Sequence, residues 1–230
     1  MDLVLTKIDA VDIQDAWFQC ISTILDVGFK YEIQQGSYVG QTRLEFDHIV
    51  VHIRRPYSVP YDTMLPQIPA HLNIPNPVAN GYVEQYLPYL MTDHIEPTEQ
   101  YTYGSRIYPQ IPHWIEVLKK TPRTNQAVLQ VARHDDYRLE DPPCLRHIDM
   151  RIKDNTLIFY PYFRSWDLWG GFPANLAGIA VLQKTMADDI GVESGPIVAS
   201  SKGLHIYGYV EELAKLRTGK AGACDGTHGN

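Results

Sequence analysis

The 230-residue chain carries 27 acidic against 20 basic residues, a formal charge of −7, with 44% hydrophobic and 20% charged residues. These values exclude a disordered or membrane-embedded chain, and no apolar run nears the ~20 residues of a membrane span. The acidic balance excludes a general nucleic-acid binder, which needs a basic face. The length fits one domain with one substantial core. The N-terminus, MDLVLTKIDAVDI, lacks the basic-then-apolar pattern of a signal peptide. Three sparsely placed cysteines, Cys20, Cys144 and Cys224, argue against a disulfide framework and for a reducing, cytoplasmic setting.

Taken in chain order, Asp12 to Phe29 reads as a helix. Asp12 suits its N-cap, Ile13, Trp17, Ile21, Ile24 and Leu25 make an apolar stripe, and Gly28 stands where a closing glycine belongs. Leu44 to Ile53 reads as one buried strand stopped by Arg54-Arg55-Pro56. Proline-rich Tyr57 to Asn80 is expected to be a surface excursion. Tyr82 to Leu90 suits a short helix despite Pro88, and Pro112 to Lys120 suits another, with proline in its first turn and lysines at its end. Gln126 to Val131 alternates as a strand does. Ala174 to Ile190 is a mostly apolar helix closed by Gly191, and its alanines predict a central, buried place. Ile197 to Ser200 and His205 to Tyr209 are short strands, and Tyr209 to Arg217 a final helix. The last residues, GKAGACDGTHGN, show no periodicity. The expected division is thus a domain over 1–217 and a mobile tail over 218–230. Irregular interleaving predicts a single α+β domain, with a mixed, mainly antiparallel sheet packed against helices.

The chemistry gathers between Pro142 and Asn175, where PPC, YFRSWD and GGFPAN follow one another. Ile148 to Phe163 reads as a hairpin turning at Asp154-Asn155, because Asx residues tolerate the positive φ of a two-residue loop. Pairing Lys153 with Thr156 and continuing that register places Cys144 across from Ser165, with Arg164 as its neighbour. A guanidinium nearby favours thiolate over thiol, so the thiol becomes a usable nucleophile. Alternation sends Arg164 and Ser165 to opposite faces, so a twist or bulge must decide which one meets the sulfur. The competing reading of a lone cysteine is a small buried hydrophobe. For Arg164 and Ser165 it is a strand end with a surface charge. An acidic protein can nevertheless hold one mononucleotide in a local basic pocket.

PPC, YFRSWD, GGFPAN and, further on, SKGLHIY together resemble the thymidylate synthase family, most nearly its short archaeal branch, from about Ala127 to Lys215. The Asp-Ala-Trp stretch at residue 15 and the Tyr103-Gly104 pair fit more loosely. The resemblance implies the thymidylate synthase/dCMP hydroxymethylase fold. It implies a dUMP C5-methyltransferase in which Cys144 adds to C6 and C5 then attacks the methylene of a reduced pterin. Asn175 matches the base-reading amide, able to donate to O4 and accept from N3–H of uracil, although a helix cap would also suit it. Arg164 and Ser165 match the phosphate grip, and His205 and Tyr207 the pair that holds the sugar 3′-hydroxyl. Asp167 matches the aspartate that meets the pterin and orders the site, beside Gly171, which allows close approach. Tyr103 matches the tyrosine that assists loss of the C5 proton through water. A carboxylate is expected on the helix before it, and Glu84 is the candidate, with Glu99 or a solvated glutamate as alternatives.

The chain also departs from the family pattern. Leu145 replaces a histidine, Phe163 a glutamine, and Thr124-Asn125-Gln126 stands where a partner subunit normally supplies two arginines. Arg123 is the candidate substitute, and Arg43 a candidate for the N-terminal phosphate arginine. The implied co-substrate is 5,10-methylenetetrahydrofolate or 5,10-methylenetetrahydromethanopterin, with no metal. The implied assembly is a homodimer, with no membrane partner. A nucleotide hydroxymethylase and a non-catalytic nucleotide-binding homologue are the alternatives.

Overall fold

A computed structural model describes residues 2–35 and 38–220. Strand β1 (Leu5–Ala10) leads into helix α1 (Ile13–Val27), and the Asp12 side chain caps that helix by accepting from the Asp15 N–H at 2.9 Å. Ile13, Trp17, Ile21 and Ile24 are buried along one face, as the spacing predicts. Gly28 closes the helix with an ordinary φ of −67°, not a left-handed one. Glycine is needed there for space, since a Cβ would stand 2.6 Å from the Ile24 carbonyl oxygen and 2.8 Å from Leu44.

The stretch read as one strand from Leu44 divides at Phe46-Asp47 into β3 (Thr42–Glu45) and β4 (His48–Ile53), which join different sheets; β2 (Phe29–Glu32) precedes them. The proline-rich segment from Tyr57 is no surface excursion. Prolines deny it regular hydrogen bonding, yet Met64, Leu65, Ile68, Ile74 and Val78 are buried and anchor it to the core. Helices α2 (Tyr82–Met91), α3 (Tyr103–Ile107) and α4 (Ile111–Lys120) follow, then β5 (Val128–Gln130), the β6 (Leu145–Lys153) and β7 (Thr156–Phe163) hairpin and β8 (Trp166–Asp167). Central helix α5 (Gly171–Ile190), β9 (Glu193–Ser201), β10 (Leu204–Tyr207) and α6 (Gly208–Thr218) complete the chain.

The hairpin turn is the one the sequence predicts, with Asp154 at φ 51° and Asn155 at φ 58°. A six-stranded sheet runs β1-β4-β9-β7-β6-β5, and a four-stranded one runs β2-β3-β10-β8. Antiparallel pairs predominate, with parallel pairing at β1–β4, β7–β9 and β8–β10. This is an α+β fold. α5 lies across the larger sheet, with Phe172, Leu176, Ile179, Leu182 and Met186 fully buried or nearly so. Its buried Gln183 donates to the Leu157 and Pro196 carbonyls at 3.0 and 3.1 Å, satisfying oxygens beside the β7–β9 register shift.

α6 runs one residue past the predicted boundary. Lys220 is tied to α1 through the Ser22 carbonyl at 2.7 Å and Asp26 at 2.6 Å, and the expected tail over 221–230 lies outside the described residues. Among the described residues no helix is long and apolar enough to cross a membrane.

Candidate active site

The β6–β7 hairpin keeps its register from Lys153 back to His147, where Tyr162 is the partner, then slips so that Leu145 faces Phe163. Arg146 is the extra residue, a β-bulge at the strand's end. The bulge corrects the expected pairing by one: Arg164, not Ser165, lies opposite Cys144, and its N–H donates to the Cys144 carbonyl at 2.9 Å. The Arg164 guanidinium turns back over the same loop. It donates to the Pro143 carbonyl at 3.2 Å and to that of Pro142, and it pairs with Asp141 at 3.3 Å.

A cleft of about 540 Å³ opens here, and its walls bring together Cys144, Arg164, Ser165, Asp167, His205 and Tyr207. These residues come from the hairpin end, β8 and β10. Arg43 joins them because β3 pairs with β10 so that Arg43 sits opposite Tyr207; its Nη2 donates to the Tyr207 hydroxyl at 3.3 Å. Its Nε is buried without a partner among the described residues.

Burial pushes the Cys144 thiol above its ordinary range, against the downward pull of Arg164, and Asp141 pushes the same way as burial. The pull of Arg43 and Arg146 does not reverse this. The expected thiolate is therefore not the resting form, because three guanidiniums fail to offset desolvation of a charged sulfur. Alkylation provides a measure of this balance. Iodoacetamide labelling of Cys144 should accelerate as pH rises through and beyond the ordinary thiol range, because only thiolate reacts. Fully buried Cys20, its thiol pushed far up by desolvation, should stay unlabelled. A labelling midpoint at neutral pH would contradict this order of effects.

His205 is buried, and desolvation followed by the Arg43 charge pushes its pKa down to about 4, so the ring is neutral at pH 7. Nδ1 lies 2.9 Å from the Gly203 carbonyl. A carbonyl only accepts, so Nδ1 carries the proton and Nε2 is left as an acceptor, buried and without a partner among the described residues.

Asp167 binds the turn before α5. Its oxygens accept from the N–H groups of Trp169, Gly170 and Gly171 at 3.1, 3.0 and 3.0 Å, a placement that also suits the positive end of the helix. The close approach at Gly171 is thus first of all that of this carboxylate. Trp17 of α1 fastens the same turn from behind, donating to the Trp169 carbonyl at 3.0 Å.

Asn175, one turn into α5, is half-buried and bonded on both sides: Oδ1 accepts from Trp166 Nε1 at 3.0 Å and Nδ2 donates to the Tyr86 hydroxyl at 2.9 Å. Tyr103 is buried at the start of α3, and its hydroxyl accepts a long 3.4 Å bond from the N–H of Leu145, the residue after Cys144. Desolvation pushes its ionisation far up, so the hydroxyl is neutral. Gly104 is required here, because a Cβ would overlap the Thr92 carbonyl oxygen at the end of α2. Arg106, later in α3, pairs with buried Asp136 at 2.8 Å and donates to the Val131 carbonyl at 2.8 Å. Breaking one side of such a pair costs about 3–5 kcal/mol. It fixes Tyr103 against the segment that leads into Cys144. Nothing in the local pattern around Arg106 or Asp136 signals this bond, since the two are brought together from distant elements.

Asn175, Tyr103 and Gly171 do not line the cleft themselves but adjoin its lining residues Trp166, Cys144 and Asp167, whereas Glu84 and Arg123 lie away from it. Glu84 is exposed, because the buried face of α2 is Val83, Tyr86 and Leu90; Tyr86 is the α2 residue that reaches Asn175. The alternative Glu99 accepts from the Glu96 N–H in its own turn. Arg123 is exposed and lines a separate depression with Ile152, Asp154 and Asn155, at the turn end of the hairpin. At ~3.3 Å per strand residue that is roughly 30 Å from Cys144 of the same protomer.

Comparison with known proteins agrees with this geometry. The family model described as Thymidylate synthase matches residues 83–220. A provisionally named thymidylate synthase of Methanococcoides burtonii is 32% identical over 222 residues, covering 90% of this chain and 94% of that protein. One of the same name from Methanothermobacter thermautotrophicus is 28% identical, covering 87% of this chain and 93% of its own. The thymidylate synthase of Zymomonas mobilis is 35% identical over 106 residues, 44% of this chain and 35% of that protein. The matched span holds Cys144, the Arg164-Ser165 pair and the His205-Tyr207 pair that build the cleft, and the chain belongs to the thymidylate synthase family.

Proposed function

We propose that this protein methylates dUMP at C5 to give dTMP, with a methylene-tetrahydropterin donating both the carbon and the hydride. The convergence of Cys144, Arg164, Ser165, His205 and Tyr207 on one cleft from separate elements carries this reading. Arg164, Ser165 and Arg43 suit the phosphate, the first by exchanging Asp141 for a stronger anion. The Nε2 acceptor of His205 suits a donating sugar hydroxyl, with Tyr207 beside it. The free N–H and lone pair of Asn175 suit O4 and N3–H of uracil.

In this mechanism the Cys144 sulfur bonds to C6, and C5 attacks the pterin methylene. C5 then loses its proton, assisted by the Tyr103 hydroxyl through water, as the pterin nitrogen departs. Hydride from the pterin reduces the exocyclic methylene, and expulsion of the sulfur releases dTMP and a dihydropterin. Asp167 and Gly171, at the turn into α5, take the pterin side.

The functional unit in this reading is a homodimer, with Arg123 of a second copy completing the phosphate site. The larger sheet supports it, since half-buried Val50, Ile158, Tyr160, Tyr162 and Val198 alternate along β4, β7 and β9 with the fully buried residues and make an apolar second face. The deciding experiment incubates the protein with [5-³H]dUMP and each of methylenetetrahydrofolate and methylenetetrahydromethanopterin. Tritium release with equimolar dTMP is expected with one of them. Release with 5-hydroxymethyl-dUMP as product would make the enzyme a hydroxymethylase, and no release with either would leave a nucleotide-binding homologue.

A further inference from the structure

An asparagine amide reads uracil in one orientation and cytosine in the other. Turned by 180°, its N–H and carbonyl exchange places, and the pattern that met O4 and N3–H now meets N4–H and N3. An asparagine at position 175 therefore does not by itself select the base; something must hold the amide. We infer that Trp166 is the specificity-determining residue that locks Asn175 in its uracil-reading orientation, a proposal that rests on the nucleotide reading above.

The Trp166 indole N–H is donor-only, so the atom 3.0 Å from it must be the amide oxygen. That assignment puts Nδ2 toward the Tyr86 hydroxyl at 2.9 Å. Each partner takes one bonding position on its atom, which leaves one N–H and one lone pair for a base edge. A turned amide would oppose Nδ2–H to the indole N–H, donor against donor, in a half-buried place where an unmet donor is costly. Tyr86 offers no such resistance, because a hydroxyl that accepts from Nδ2 can rotate and donate to Oδ1. The discrimination is lodged in one side of the clamp.

Packing makes the clamp rigid. The Trp166 ring lies on Phe163 at 3.8 Å between centroids and 5° between planes, and against Phe172 at 4.6 Å, so its N–H has a fixed direction. Phe163, at a position where the family pattern has glutamine, supplies this stacking surface. Tyr86 is seated on α5 itself, since a Cβ on Gly178 would stand 2.7 Å from its ring.

The test compares dUMP affinity with the inhibition constant of dCMP in wild type, Trp166→Phe and Tyr86→Phe. The wild type should prefer dUMP. Trp166→Phe should narrow the dUMP-to-dCMP preference by about tenfold or more, the cost of one unmet donor, and Tyr86→Phe by less than about threefold. General damage to the site would weaken both nucleotides together and leave the ratio unmoved. If the phenylalanine variant does not fold, 3-benzothienylalanine at position 166 replaces the indole N–H with sulfur at nearly constant shape and should narrow the preference equally. An unchanged ratio at position 166, or equal changes at both positions, overturns the inference while the dUMP reading stands. A wild type that binds neither nucleotide overturns both.

Discussion

Cys144→Ser is expected to lower tritium release from [5-³H]dUMP by at least roughly a thousandfold while leaving dUMP binding within a few-fold of wild type. A serine hydroxyl ionises far less readily than a thiol, so the bond to C6 does not form at a useful rate. The binding groups are untouched, because the Arg164 guanidinium is held by the Pro142 and Pro143 carbonyls and not by the sulfur. Arg43, Ser165, His205 and Tyr207 stand on other elements. Calorimetric titration with dUMP and the tritium assay, run on the same sample, separate binding from chemistry. Turnover within tenfold of wild type would rule out the covalent route through Cys144.

Asn175→Asp is expected to reverse base preference, moving the ratio of kcat/KM for dUMP and dCMP by at least about a hundredfold toward dCMP. The carboxyl accepts from N4–H of cytosine through one oxygen and, carrying a proton on the other, donates to N3, whereas it has no N–H to offer O4 of uracil and repels it when ionised. The surroundings admit the change. The Trp166 N–H still finds an oxygen, and the Tyr86 hydroxyl turns from acceptor to donor. The variant should therefore fold and bind, and relative kcat/KM values equal to wild type would show that position 175 does not read the base.

Much of the architecture is legible locally. The Asp12 cap with its Ile13-Trp17-Ile21-Ile24 stripe gives α1, and the run of alanines with a closing Gly191 gives buried α5. The Asp154-Asn155 pair gives the hairpin turn and, with it, the approach of Arg164 to Cys144. Less visible are the elements that lack a period of their own. β2 is a four-residue strand, α3 spans five residues, and the proline-rich segment buries its apolar residues without regular hydrogen bonding. Glu84 fits the carboxylate that the family resemblance implies only by its place before Tyr103 in the sequence. Which face of α2 turns inward was decided by Val83, Tyr86 and Leu90.

The amino-acid order alone brought Arg164 beside Cys144, because the Asp154-Asn155 turn sets the hairpin, while Asn175, His205 and Tyr207 became candidates only through the resemblance of GGFPAN and SKGLHIY to a known family. Tertiary structure alone decided three further things. A bulge at Arg146 set Arg164 rather than Ser165 against Cys144, and pairing of β3 with β10 carried Arg43 into the cleft. Burial outweighed the guanidiniums at the sulfur. The physical reason is the same in each case: cross-sheet register and desolvation depend on residues far apart in the chain, and no local pattern reports how closely they will pack.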